Sequence, residues 1–264
     1  MKWSPEAEQA ISKVPFFVRK RVKRRVEEEA IAVEARVVTL DHVRSCQRRF
    51  MERMEEEVRG HQVETCFGPS GCPNRAVAFE GMAGRVEEIL ASRDLKSFLK
   101  ERVGGPLKLH HEFRVSISDC PNACSRPQIA DVGLIGARRP TVSDVPCEGC
   151  GSCFRVCREE AVTLSEAGPN VDQGRCLGCG QCIQVCPTGT LQEGETGYRI
   201  LLGGKLGRHP RLATELHRLY AQDRALELID RVIGSYMRSS VNGERLGEIL
   251  ERMGWEKFLK GIGD

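Results

Sequence analysis

Ile117-Ser118-Asp119-Cys120-Pro121-Asn122-Ala123-Cys124-Ser125-Arg126-Pro127 is the stretch that decides how the chain is read, and it has a counterpart upstream in Cys66-Phe67-Gly68-Pro69-Ser70-Gly71-Cys72. Together they read C-x5-C and then C-x3-C, four thiols brought from two tight turns rich in Gly and Pro. Four thiolates on short loops suit one iron–sulfur cube. Upstream of Cys120, the residues Leu107, Leu109, Phe113, Val115 and Ile117 alternate with polar neighbours. That alternation predicts a strand at the edge of a sheet, delivering Cys120 at its end. Ile129 to Gly136 predicts a second strand of the same sheet, and Tyr198 to Leu202 another before Gly203-Gly204.

A second cysteine-rich region lies between those strands. Cys147, Cys150, Cys153 and Cys157 give C-x2-C-x2-C-x3-C, and Cys176, Cys179, Cys182 and Cys186, followed by Pro187, repeat it. This is the spacing of bacterial two-cluster ferredoxins, where the fourth cysteine of each run ligates the other cluster. One cluster then takes Cys147, Cys150, Cys153 and Cys186, and the other takes Cys176, Cys179, Cys182 and Cys157. Structural zinc is the competing account, but zinc favours two paired C-x2-C knuckles over a longer gap. Arg158 stands where a proline often follows the fourth cysteine. Pro140 and Pro146 on one side, and Gly194 and Gly197 on the other, set off residues 141–190 as an insert.

Outside these loops the chain is ordinary in composition. Forty Lys and Arg against thirty-seven Asp and Glu leave a net charge of +3 over 264 residues, so no global field points to nucleic acid or to an anionic membrane. No apolar run approaches the roughly 20 residues of a membrane span, and Met1-Lys2-Trp3-Ser4-Pro5 lacks a signal-peptide core. The expectation is a soluble, cytoplasmic protein, in which thirteen clustered cysteines serve metal rather than disulfides.

Residues 1–59 predict helices. Ser4 with Pro5 reads as an N-cap and first-turn proline, and Thr39 opens another helix. Val14, Val18, Val22 and Val26 form one apolar stripe, while Arg19 to Arg25 is a basic run answered by Glu27-Glu28-Glu29 one turn on. Cys46 falls on an apolar face and reads as an inert thiol. A helical segment follows Gly84 as far as Gly104-Gly105-Pro106, and the tail from residue 210 predicts three helices, the first carrying Leu212, Leu216 and Leu219.

With the motifs in place, a family resemblance emerges. C-x5-C with Cys120-Pro121-Asn122-Ala123-Cys124, the run Ile129 to Gly136 and Tyr198-Arg199-Ile200-Leu201-Leu202-Gly203-Gly204-Lys205 resemble the sirohaem and iron–sulfur domain of sulfite and nitrite reductases, here with a ferredoxin insert as in anaerobic and dissimilatory sulfite reductases. The resemblance implies an α+β fold in which 60–140 and 191–264 form the sirohaem domain, 141–190 the insert with two 4Fe-4S clusters, and 1–59 a helical module. It implies a third 4Fe-4S cluster on Cys66, Cys72, Cys120 and Cys124, with Cys124 also the axial thiolate of sirohaem and Asn122 reaching the sirohaem carboxylates. A cube without haem is the alternative. Trp3 to Ala7, Val14 to Arg19, Val26-Glu27 and Val38-Thr39-Leu40 are similar to the C-terminal helical region of the light-independent protochlorophyllide reductase B subunit.

The activity implied is six-electron reduction of sulfite, or of nitrite, fed by an external electron-donor protein, with homo- or hetero-oligomers in view. The rival is a non-catalytic electron-transfer or tetrapyrrole-binding subunit. Substrate oxyanions need cations, and Arg75, Lys108, Arg114, Lys205 and Arg208 are the candidates near the motifs. Each competes with a role in neutralising sirohaem carboxylates or with plain surface exposure.

Overall fold

The structure, a computed structural model, describes residues 1–263; Asp264 and the side chain of Met54 lie outside the described residues. The chain divides into two compact units, one of Met1–Val58 with Gly105–His110 and one of Arg59–Gly104 with His111–Asp264.

The first unit is helical. It holds β1 (Lys2–Trp3), α1 (Pro5–Ser12), α2 (Phe16–Ala32), β2 (Val37–Val38) and α3 (Leu40–Glu57), with β1 and β2 pairing in parallel. Ser4 Oγ accepts the Ala7 N–H at 3.3 Å, and Pro5 occupies the first turn, where its missing N–H costs nothing. Thr39 caps α3 in exchange with His42, whose Nδ1 accepts the Thr39 N–H at 3.0 Å. Ala7, Val26, Ala30 and Val38 make a small core, with Val22 and Cys46 packed against it. The basic run of α2 is partly answered by Arg24–Glu28 at 3.6 Å. Burial, with Glu29 adding, pushes the Cys46 thiol up in pKa, so it stays protonated.

The second unit is built on a five-stranded sheet in the order β3-β4-β5-β8-β9. β3 (His61–Thr65), β4 (Phe113–Ser118) and β5 (Val132–Val142) run parallel, and β8 (Leu191–Leu202) and β9 (Thr214–Tyr220) continue antiparallel. Between β3 and β4 lie α4 (Met82–Ala91) and α5 (Leu95–Arg102). Between β5 and β8 lie α6 (Ser152–Val156), a hairpin of β6 (Val162–Ser165) with β7 (Gly168–Val171), and α7 (Gln181–Gln184). The chain closes with α8 (Gln222–Ser239), α9 (Leu246–Met253) and α10 (Trp255–Ile262).

Alternation along the strands separates two faces. Phe113, Val115, Ile117, Val132, Leu134, Tyr198, Ile200 and Leu202 meet the apolar stripes of α4, α8, α9 and α10 in the main core. The intervening residues face the other way: Ser116 and Ser118 of β4, Ile135 of β5 and Leu201 of β8 meet the Cys120–Ser125 loop, with Ala123 packed on Ile135 and Leu201. Helices therefore cover one face, and the cysteine loop folds back over the other.

Four expectations need correction. The strand before Cys120 starts only at Phe113, because Leu109–His111 is a 3-10 turn, and β4 is interior, flanked by β3 and β5. The edge beyond it is β3, whose HQVET has a single aliphatic residue and gives no strand signal. Leu212 to Tyr220 is not a helix; its second part is β9, since Leu216 and Tyr220, the buried pair, stand four apart and satisfy the period of a strand as well as that of a helix. Pro140, Gly194 and Gly197 lie inside β5 and β8 rather than punctuating them. Pro140 is tolerated at the register shift after Arg138.

Candidate metal centres

Two loops at the C-terminal ends of β3 and β4 carry the first thiols. Parallel pairing puts those strand ends side by side, Thr65 opposite Ile117, so Cys66 and Cys120 leave the sheet together. The Cys66 N–H donates to Ile117 O at 2.9 Å, and the Asp119 N–H donates to Cys66 Sγ at 3.3 Å. A 3-10 turn over Gly68–Ser70 then brings Cys72 round. Thiols Cys66, Cys124 and Cys72 all raise the pKa of Cys120, after burial, which is the largest cause. The Cys120 thiolate therefore meets repulsion from the other three, which a cationic centre would relieve. Cys120 is buried, Cys66 and Cys72 are half-buried, and Cys124 is exposed.

Asp119 holds both loops. Its side chain is 5% exposed, and it accepts from Arg75 Nε at 2.6 Å. Its carbonyl accepts the N–H groups of Ala76 at 2.8 Å and Val77 at 3.2 Å. Gly68 lies so close that a Cβ there would sit 2.3 Å from Asp119 Oδ2, so the residue must be glycine. The other anchor is serine: Ser118 Oγ donates to or accepts from Ser125 Oγ at 2.7 Å, Ser125 Oγ donates to Ile117 O at 2.8 Å, and Ser116 Oγ donates to Ser125 O at 2.6 Å. This buried ladder allows Ala123 and Arg126 to stay in the left-handed region, at φ of 51° and 60°. Asp119 and the serines were not singled out from sequence; the signal was there in the i, i+2 serines on the face of β4 opposite its aliphatic residues.

Between β5 and β8 the remaining eight thiols fall into two groups. Cys153 is raised in pKa by burial and then by Cys186 and Cys147. Cys182 is pushed up to about 12 by burial and then by Cys179, Cys176 and Cys157. Cys153 thus lies in the field of one thiol from its own run and one from the other run, and Cys182 in the field of two from its own run and one from the other. Backbone N–H groups aim at the sulfurs: Gly149 at Cys147 (3.4 Å), Ala161 at Cys157 (3.3 Å) and Leu191 at Cys186 (3.4 Å). Burial opposes ionisation of Cys186, but hydrogen bonds from Leu191, Thr188 and Gly189 together lower its pKa. Cys153, Val162, Cys182 and Leu191 form a core of their own. Among the described residues no three His, Cys, Asp or Glu side chains converge as ligands of a single ion; a cube of iron and sulfide needs its four sulfurs spread around a larger centre. All thirteen cysteines are free thiols.

The predicted cations are placed differently from one another. Arg75 is engaged by Asp119, and Lys205 Nζ by Glu248 Oε1 at 2.6 Å. Arg114 donates its backbone N–H to Asp131 Oδ2 at 2.8 Å, while its buried Nε has no partner among the described residues. With Arg126 and Ser125 it lines a cavity of about 70 Å³ beside the loop. Arg208 is exposed between β8 and β9, and Asn122 is exposed on the loop itself. Lys108 belongs to the first unit.

Comparison with known proteins was made on this geometry. Residues 3–46 match the family described as proto-chlorophyllide reductase 57 kD subunit. The chain is 35% identical over 193 residues to a coenzyme F420-dependent sulfite reductase of Methanocaldococcus jannaschii, covering 72% of this chain and 30% of that relative. It is 27% identical over 160 residues to the dissimilatory-type sulfite reductase subunit beta of Nitratidesulfovibrio vulgaris, covering 58% of this chain and 35% of the relative. The chain thus spans about a third of the length of these relatives. Among solved structures, dissimilatory sulfite reductase I aligns with a TM-score of 0.55 at 20% identity, over 82% of this chain and 57% of that one, which is a likeness of fold. Residues 63–264 match the family described as nitrite and sulphite reductase 4Fe-4S domain. That match opens inside β3 and takes in every thiol-bearing loop, and on it the chain belongs to the nitrite and sulphite reductase 4Fe-4S domain family.

Proposed function

We propose that the chain is the sirohaem- and iron–sulfur-binding part of a sulfite reductase, reducing sulfite to sulfide, with residues 60–140 and 191–264 as the sirohaem domain, 141–190 as a two-cluster ferredoxin insert and 1–59 as a helical module. The observation that carries this reading is the outward side of the Cys120–Cys124 loop, where Cys124 and Asn122 are both exposed while Cys120 is buried and Cys66 and Cys72 are half-buried. A sulfur that serves only a cube can be buried like Cys120; one that also ligates an outside macrocycle must face outward.

In this reading Cys66, Cys72, Cys120 and Cys124 hold one 4Fe-4S cluster, Cys147, Cys150, Cys153 and Cys186 a second, and Cys176, Cys179, Cys182 and Cys157 a third. The donor sets fit, being four thiols each with N–H groups aimed at sulfur. Cys124 would hold sirohaem, which when bound would supply a redox iron for reduction of a sulfur oxyanion. Bisulfite takes six electrons and seven protons to give hydrogen sulfide and three waters. Single-electron centres in series, filled by an external donor protein, meet that count. Asn122, exposed on the loop, is a donor for sirohaem carboxylates. Arg114 and Arg208 are the cations best placed to hold an oxyanion, while Arg75 and Lys205 brace the loops through Asp119 and Glu248.

Full chain purified anaerobically tests this. A Soret band shifted by sulfite, iron of roughly thirteen atoms per chain, and viologen-driven sulfide formation are expected. Turnover of nitrite in preference to sulfite would reassign the substrate. A second reading, an electron-transfer subunit completed by other chains, draws on the share of the relatives that this chain spans; iron of about twelve with no Soret band would establish it instead.

A further inference from the structure

The two thiol groups between β5 and β8 differ in their surroundings. At the group of Cys147, Cys150, Cys153 and Cys186, Cys150 is exposed, and Phe154 beside Cys153 is 53% exposed. The Cys176–Cys182 loop of the other group returns to the sheet. The Arg138 N–H of β5 donates to Gly178 O at 2.6 Å, and Arg138 and Cys179 form a parallel bridge. Gln181 Nε2 donates to Asn74 Oδ1 at 3.4 Å, and Asn74 stands two residues beyond Cys72. This loop therefore touches both the sheet and the loop that carries Cys66 and Cys72.

The Arg138 guanidinium lies within that junction. Its side chain is 20% exposed, and Nη1 is 3.5 Å from Glu193 Oε2. Nε and Nη2 are buried with no hydrogen-bond partner among the described residues. They press on Gly180: a Cβ there would sit 2.6 Å from Nε and 3.0 Å from Nη2. The glycine between Cys179 and Cys182 thus makes room for a cation directly against the thiol loop. Buried donors without acceptors are costly, and a charge largely out of water is screened less than one at the surface. An anionic cluster would accept those N–H groups, and its reduced form, the more negative one, would gain most. At the other group Arg155 lies close to Gly151 in the same way, but it is exposed and hydrogen-bonded to Ser152, so solvent screens it.

We propose that Arg138 is a positioning residue that makes the Cys157, Cys176, Cys179 and Cys182 cluster the exit of the inserted pair, by holding its midpoint potential above that of the outward cluster. The inference rests on the reading of these thiols as cluster ligands. An external one-electron donor reduces the outward cluster. With the clusters bound, the electron would move next to the cluster beside Arg138, and the Gln181–Asn74 contact would join its loop to that of Cys66, Cys72, Cys120 and Cys124. Each transfer oxidises one cluster by one electron and reduces the next, with no bond made and no proton moved.

The test is a dithionite redox titration of the anaerobically reconstituted full chain, followed by EPR and paired with an iron assay. R138Q is expected to lower the midpoint of one cluster and leave the others in place, at unchanged iron content. R138K, which keeps the charge, holds the wild-type midpoint. E193Q removes the nearby carboxylate and raises the same midpoint, so it carries the test if R138Q loads poorly. Unmoved midpoints in both R138Q and E193Q at full iron, or a shift in R138K as large as in R138Q, overturn the inference alone. Wild-type protein that takes up no cubane iron overturns the cluster reading, and the inference with it.

Discussion

At the scale of single residues, the site depends on two side chains that bind no metal. Asp119 is buried, ion-paired to Arg75, and its main chain joins the loops of Cys66 and Cys120. Removing one partner of a buried pair leaves an uncompensated charge, at a cost of about 3 kcal/mol. D119N should therefore lower the unfolding free energy of the cluster-free chain, read from urea titration, by that order and reduce the iron retained on reconstitution. Glu248 gives a pH-dependent case. Burial raises its pKa, but hydrogen bonds from Lys205 and the Arg245 N–H outweigh it, so the folded carboxyl titrates below its ordinary value of 4.5. A depressed carboxyl contributes stability in full above its unfolded pKa and loses it as pH falls through the folded one. Urea titrations from pH 6 downward should show stability falling below about pH 4.5, and E248Q should flatten that limb.

The element scale is governed by the β5–β8 ribbon. Its register runs from Val132 opposite Leu202 to Val142 opposite Leu191, so the intervening residues begin and end at adjacent points of one antiparallel pair. They also have their own small core. Replacing residues 143–190 by a two-residue Asn-Gly turn should close the ribbon as a hairpin and leave the far-ultraviolet spectrum of the remainder intact. On the cluster reading, iron should drop by about eight atoms per chain. Loss of folding on excision would show that the Arg138–Gly178 and Gln181–Asn74 contacts, rather than the sheet, hold the unit together.

At the scale of the whole molecule, the two units carry cores of very different size. The first rests on Ala7, Val26, Ala30 and Val38, while the second buries the strands and helices of a full sheet domain. Small cores give marginal stability. Calorimetry of the full chain should show two transitions, the smaller one at lower temperature, and W3A, which removes a side chain packed on the minor core, should shift only that one. A single transition shifted as a whole by W3A would contradict it. Among the described residues no helix is long and apolar enough to cross a membrane.

The sequence by itself determined the thiol-bearing loops, since ligand spacing is local: C-x2-C-x2-C and C-x3-C can be read wherever the loops end up. It also carried Ser4 and Thr39 as helix caps, whose donors lie within one turn. Tertiary structure decided what depended on distant segments. β3 has almost no apolar signal and exists because β4 offers a parallel edge, and Leu216 with Tyr220 became a strand because β8 was there to pair with. Arg75 met Asp119, and Lys205 met Glu248, across 44 and 43 residues. No local pattern encodes such pairs, because their energy comes from burial that exists only once the sheet has formed.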